Sequence, residues 1–221
     1  MRQRLSRSPR NSCWNSALPE VTTESVLVIA CGALAKEIVE LKQLNGWSHL
    51  KIQCLPAGLH NRPQKIPGAV REAIKKYRPD FDHLFVAYAD CGTGGALDKV
   101  LAEFEVERLA GTHCYEFYAG PAEFAALADD EPGTFYLTDF LTRHFDRLVK
   151  KGLGLDRHPE LMATYFGNYR RLVFLSQTES AKLQQAARDH ADYLGLEYVH
   201  RHTGLEPVSR NFGEHIVQWL N

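Results

Sequence analysis

The chain has 221 residues, with 26 Lys and Arg against 27 Asp and Glu and a formal net charge of −1 when histidines are neutral. That length can bury a proper core as one large domain or two small ones, and the balanced charge excludes a broad basic face for nucleic acid or an acidic tail. No apolar run approaches the roughly 20 residues of a membrane span, and five cysteines without tight spacing argue for a reducing cytoplasm rather than a disulfide framework.

Residues 1–22 are basic and polar, lack the apolar centre of a secretory signal, and read as a disordered tail. From residue 23 to 221 the pattern reads as a single α/β domain. Ser25 to Ala30 is a continuous β-branched apolar run, hence a strand, followed by helical periodicity over Ala33 to Leu44. Lys51 to Leu55 is the second strand, and Pro67 suits the first turn of a helix reaching Tyr77. His83 to Ala89 is the third strand, with a helix over Ala96 to Leu109. Thr112 to Phe117 reads as a short fourth strand, Pro121 to Ala128 as a helix, and Thr134 to Leu137 as a fifth strand. An amphipathic helix runs from Asp139 to about Lys151, and another from Pro159 to Phe166. Arg171 to Leu175 is the sixth strand, Ser180 to Leu194 a helix, Leu196 to His200 the seventh strand and Gly213 to Leu220 a closing helix.

Strands that are apolar throughout and alternate with helices predict an α/β fold with largely parallel sheet and flanking helices. Units of strand, loop, helix and strand begin near residues 25, 83 and 171. Two architectures follow: one doubly wound sheet, or several Rossmann-like α/β units around a shared cleft.

Ligands of parallel α/β folds bind beyond the carboxyl ends of the strands, so what each strand delivers there matters. The first delivers Cys31, the second His60, Asn61 and Arg62, and the third Asp90, Cys91, Gly92, Gly94 and Gly95. The fourth delivers His113, Cys114, Tyr115 and Glu116; the sixth, Ser176 to Thr178; the seventh, His200 to Thr203. Three cysteines, several histidines and two arginines are thereby predicted at one sheet edge.

The stretches VIACGALAKEI, LPAGLHNRPQKIP, YADCGTGGALD, HCYEFYAG and LVFLSQT together resemble the domain of unknown function 1638 family, from about Ser25 to the C-terminus. The resemblance implies that Cys31, His60, Arg62, Asp90, Cys91, Gly92, Cys114 and Glu116 are motif positions. It also implies a role in one-carbon or methylamine-type metabolism beside corrinoid-dependent methyltransferase systems, with a corrinoid protein or methyltransferase as partner.

Thiolates are soft ligands, and a neutral imidazole can complete their set, so Cys31, Cys91 and Cys114 with His60 are candidate ligands for zinc or an iron–sulfur cluster. None of these pairs forms CxxC. Against this stands the reading of free cysteine as a small core hydrophobe, which fits Cys54 inside its apolar strand. Cys31 and Cys91 sit instead at strand-to-helix junctions, where a helix amino terminus lowers a thiol's pKa and makes a nucleophile. Gly92, Gly94 and Gly95 would let backbone amides approach an anionic small molecule, or serve only a tight turn. Arg62 can clamp a carboxylate or phosphate, and His202 can line the cleft. Asp90 and Glu116 are candidate acid and base, or orienting partners of metal-bound histidines. GxSxG, HExxH and P-loop signatures are absent. The expectation is therefore a cytoplasmic metal- or cluster-binding protein acting on a small anionic or methylated substrate. Its alternatives are a non-catalytic partner of a corrinoid system and a metal-free thiol enzyme using Cys91 or Cys31.

Overall fold

The computed structural model describes residues 24–216, so the expected tail and Cys13 lie outside the described residues. Its architecture is α/β with two all-parallel sheets flanked by helices. The first sheet has the order β2-β1-β3-β4, formed by Leu50–Leu55, Val26–Cys31, His83–Ala87 and Glu107–Arg108. The second runs β5-β6-β7, formed by Thr134–Thr138, Arg171–Ser176 and Glu197–His202.

Strand β1 is buried along its whole length, as its unbroken apolar sequence requires, with parallel partners on both edges. The chain leaves β1 towards β2 and then returns past it to β3. Because such crossovers are right-handed, α1 (Ala35–Leu44) and α2 (Ile66–Tyr77) cover opposite faces of the sheet. Ile38 and Leu41 of the first helix and Ile66, Val70 and Ile74 of the second pack into the core. Strand β6 belongs to two cores at once. Its Leu172 and Phe174 face the second sheet's own helices, while Val173 and Leu175 join the core of the first sheet. That period-2 sharing fastens the two sheets together.

Several elements depart from expectation. The apolar strand carrying Cys54 lies at an edge of the first sheet, so this cysteine is exposed rather than part of the core. Helix α3 spans Ala96–Phe104 and stops short of Leu109, because Glu105 takes left-handed dihedrals (φ 53°) and releases the chain into β4. The stretch Thr112 to Phe117 is no strand: Cys114–Ala119 is helix α4. Glu116, its third residue, accepts a hydrogen bond from the Thr112 amide (3.1 Å), and Gly120 and Pro121 end the helix and begin α5 (Pro121–Asp130). The expected long helix after Asp139 is divided into α6 (Asp139–Arg143) and a π-helical turn over Asp146–Lys150. Two helices follow as expected, α7 (Leu161–Phe166) and α8 (Ala181–Leu194), the latter capped by the Ser180 hydroxyl. The final helix, α9 (Glu206–Ile216), begins well before Gly213. Among the described residues no helix is long and apolar enough to cross a membrane.

Candidate functional site

The first sheet reverses its winding between β1 and β3, and the crevice left beyond their carboxyl ends is where parallel folds place ligands. Cys31 is the last residue of β1, and Cys91 follows β3 by four residues. The β3 exit loop is held against the segment before α4 by two backbone bonds, Cys91 N–H to Thr112 O (2.8 Å) and Asp90 N–H to Gly111 O (3.2 Å). This pairing carries Cys114, the first residue of α4, up to Cys91, so that their sulfurs stand 2.9 Å apart. The backbone at Cys91 has φ 49°, a left-handed conformation that costs a residue with a Cβ about 1 to 2 kcal/mol. Such strain collects where surroundings hold a side chain in a set place.

The two thiols are electrostatically unequal. Cys91 is pulled below the ordinary thiol range, first by the Cys114 side chain as hydrogen-bond donor and then by the amides of Cys114 and Ala89, against the opposing effect of burial. Cys114 is raised well above that range, because its proton is held by the Cys91 sulfur and because it is buried. The contact thus drives the two thiols apart, with Cys91 the more readily ionised of the pair and Cys114 the one that keeps its proton. Cys31 is pushed by burial from the usual 9.0 to about 11 and stays a neutral thiol. Beside it is the buried hydroxyl of Tyr88, raised by burial and by its interaction with the Cys31 thiol. His60 is lowered by desolvation and by nearby His113, so its imidazole is neutral, with Nε2 3.1 Å from the Tyr115 hydroxyl.

Cys31, Cys91, Cys114 and His60 line one cavity of about 20 Å³, with Tyr88 and Tyr115 among its other walls. That is room for a water or a single ion, since one water needs roughly 10 to 15 Å³ by this measure. As they stand, the described residues include no group of three or more His, Cys, Asp or Glu side chains arranged to hold a metal ion. The cavity adjoins a cleft of about 510 Å³, the two sharing His60, Cys91, Cys114 and Tyr115. Away from the thiols the cleft is walled by rings. Tyr115 stacks on Tyr136 at 5.3 Å, Phe124 meets Tyr136 at 5.3 Å, and Phe135 and Tyr169 extend the wall. Among the described residues no Lys, Arg, Asp or Glu lines it.

The remaining sequence candidates lie elsewhere. The Asp90 carboxylate folds back on its own loop, accepting bonds from the Thr93 hydroxyl (2.7 Å) and the amides of Gly95 (2.8 Å) and Gly94 (3.1 Å), which hold it down to about 2. The anion served by these glycine amides is therefore the protein's own, and their φ values of 61° and 79° are what that wrapping requires. Gly92 lies against Pro63. Glu116 holds the start of α4 and faces a different cavity, beside Pro121 and His215. Arg62 opens into a separate groove lined also by Lys65 and Arg147. His202 and His200 both bond the buried Ser176 hydroxyl, at 3.0 and 2.9 Å, and neither lines the cleft. Sequence reasoning missed the aromatic wall. Phe124 and Tyr136 fall inside a predicted helix and a predicted strand, and no motif marks them in the sequence.

A family model described as "Protein of unknown function (DUF1638)" matches residues 54–211. No curated protein matches the chain. The matched span contains His60, Cys91 and Cys114, while Cys31 precedes it.

Proposed function

The chain belongs to the DUF1638 family, and we propose that its working group is the Cys91 thiolate, presented to a small uncharged, ring-bearing molecule held in the aromatic cleft. The observation that carries this reading is the pair of sulfurs, Cys91 and Cys114, 2.9 Å apart at the floor of a cleft with no Lys, Arg, Asp or Glu among its described lining residues. In the corresponding step Cys91 Sγ bonds to an electrophilic carbon of the ligand. The displaced electron pair passes to the neighbouring ligand atom, which takes the proton of Cys114. Once the charge on Cys91 is consumed, the main cause that raised the Cys114 pKa is gone, so Cys114 becomes a competent acid when a proton is needed. The corrinoid-linked setting implied by the family resemblance fits this chemistry as context, since a methyl group is a carbon that thiolates attack. A corrinoid protein as partner rests on that resemblance alone.

A second reading, a soft metal ion held by Cys31, Cys91, Cys114 and His60, is favoured by their sharing one ion-sized cavity. Zinc requires the Cys91 and Cys114 sulfurs to separate from 2.9 Å to about 3.8 Å, the spacing of two tetrahedral thiolate ligands, and an iron–sulfur cluster requires a larger opening. Anaerobic purification with metal analysis, combined with peptide-resolved alkylation, separates the readings. Metal-free protein whose Cys91 alkylates rapidly at neutral pH supports the thiol reading. One equivalent of metal, lost together in Cys91→Ser and Cys114→Ser, supports the metal reading and sinks the first.

A further inference from the structure

The loop that places His60 in the cysteine cavity carries its next residues away to another surface. Asn61, Arg62 and Lys65 form one wall of an open groove of about 610 Å³, and the π-helical turn of the second sheet's lobe supplies Arg147 and Leu148 as the other. The groove shares no lining residue with the cleft or the cysteine cavity. Its walls are fastened at one point, where the Asn61 side-chain amide donates to the Leu148 carbonyl at 2.5 Å. Gly152 is required there: a Cβ at this position would stand 2.6 Å from the Asn61 amide nitrogen and 2.2 Å from the Leu148 oxygen. π-Helical turns are rare and concentrate at functional sites.

Charge is what singles out this groove. Among the described residues three cations line it and no Asp or Glu does. Elsewhere among the described residues seven arginines lie against a carboxylate, Arg71, Arg108, Arg143, Arg157, Arg171, Arg201 and Arg210, whereas Arg170 bonds backbone carbonyls, Arg188 covers the Tyr198 ring and Arg78 has no carboxylate partner. The side chains of Arg62, Lys65 and Arg147 have no carboxylate partner among the described residues. Three like charges brought to one concavity repel one another unless an anion joins them. Two guanidinium forks and an ammonium match clustered oxyanions, the forks bidentately. Among the described residues the lining holds no aromatic ring that would stack a nucleobase.

We propose that this groove is a binding site for a small polyanion bearing two or more phosphate or carboxylate groups, clamped between the lobes by Arg62 and Lys65 on one side and Arg147 on the other. The inference goes beyond the thiol chemistry and does not depend on it.

The test is calorimetric titration of the full chain at low ionic strength with inorganic pyrophosphate and, separately, citrate. One or both bind, the stronger naming phosphate or carboxylate as the group recognised, and binding weakens as salt is added. Arg62→Gln and Arg147→Gln each lower the affinity by about tenfold, the loss of one charge-assisted bidentate contact. Lys99→Gln, on α3, leaves it unchanged, and thermal melts of these exposed-site variants confirm that they fold. Absence of binding at millimolar probe overturns the proposal, as does an affinity indifferent to both arginine variants. Tighter binding of a single-stranded oligonucleotide or an acidic peptide than of either probe overturns the small-molecule assignment. Pyrophosphate leaves the Cys91 alkylation rate unchanged; if it slows that rate while both arginine variants bind normally, the anion occupies the cleft and the groove is not the site.

Discussion

The cleft and the groove are built from one loop and differ in nearly every chemical respect. His60 looks into a cavity of thiols and tyrosines, and Asn61 and Arg62 look into a concavity of cations. In the first, desolvation pushes the Cys31 thiol up and the His60 imidazole down, while the contact between Cys91 and Cys114 lowers one thiol and raises the other. In the second the charges are exposed, solvated and unpaired, so binding energy there comes from ligand charge and falls with salt. A low-dielectric pocket tunes the reactivity of one atom, whereas an exposed cationic groove selects by charge.

The sharpest way to break that contrast is cysteine reactivity. At neutral pH iodoacetamide modifies half-buried Cys91 faster than exposed Cys54, whose thiol is raised by desolvation, by roughly 10- to 100-fold, because thiolate fraction outweighs exposure. Peptide-resolved mass spectrometry measures both rates, and equal rates would show that Cys91 is not activated. Cys114→Ala shifts the onset of Cys91 alkylation to higher pH, since its thiol is the first cause of the lowered pKa.

Next is alkaline stability. Cys31 has a folded pKa of about 11 against 9.0 for an ordinary thiol. Its contribution is complete below 9 and is lost as pH rises towards 11, an effect of about 2 to 3 kcal/mol. Urea melts from pH 8 to 11 test this, and Cys31→Ala flattens the decline. If the alanine variant keeps the full slope, burial of Cys31 is not its source.

Asp90→Ala removes three hydrogen bonds that shape the loop below Cys91 and destabilises the protein by about 1 to 3 kcal/mol. The wild-type Asp90 contribution is present above the ordinary 3.8 and disappears as pH falls through about 2. The same variant slows Cys91 alkylation, because the loop loses its left-handed conformation at that residue. An unchanged rate would mean that the loop conformation does not govern the reactivity of Cys91, since loss of the nearby Asp90 charge by itself eases ionisation of that thiol. The smallest effect is Asn61→Ala, about 1 kcal/mol for one side chain-to-backbone bond. It weakens pyrophosphate binding with no change at Cys91, and a parallel change in both would show that the two regions are one.

How far the sequence could be read differs between elements for identifiable reasons. The apolar runs of β1, β3 and β6 announce buried parallel strands, and the carboxyl-end rule puts Cys31, Cys91 and His60 at one edge from the sequence alone. Thr112 to Phe117 misled, because alternating aromatic residues favour a strand, while the glutamate at the third helical position and the following Gly120-Pro121 were the better signal. Cys54 misled because an apolar strand does not declare whether it lies inside a sheet or at its edge. Asp90 and the glycines looked like separate assets for a ligand, and in the fold each satisfies the other.

By itself the sequence determined the class of fold, the order of its elements, and which residues leave the carboxyl ends of the strands, because hydrophobic period is a local property written every few residues. Only the tertiary structure decided that Cys114 pairs with Cys91, that the Asp90 carboxylate is already spent, and that neighbouring residues 60 and 62 serve opposite environments. Those outcomes depend on strand order, on left-handed turns and on contacts between segments far apart in the chain. A single turn of backbone, such as the one from His60 to Arg62, is enough to send adjacent side chains into an uncharged cavity and an open cationic groove.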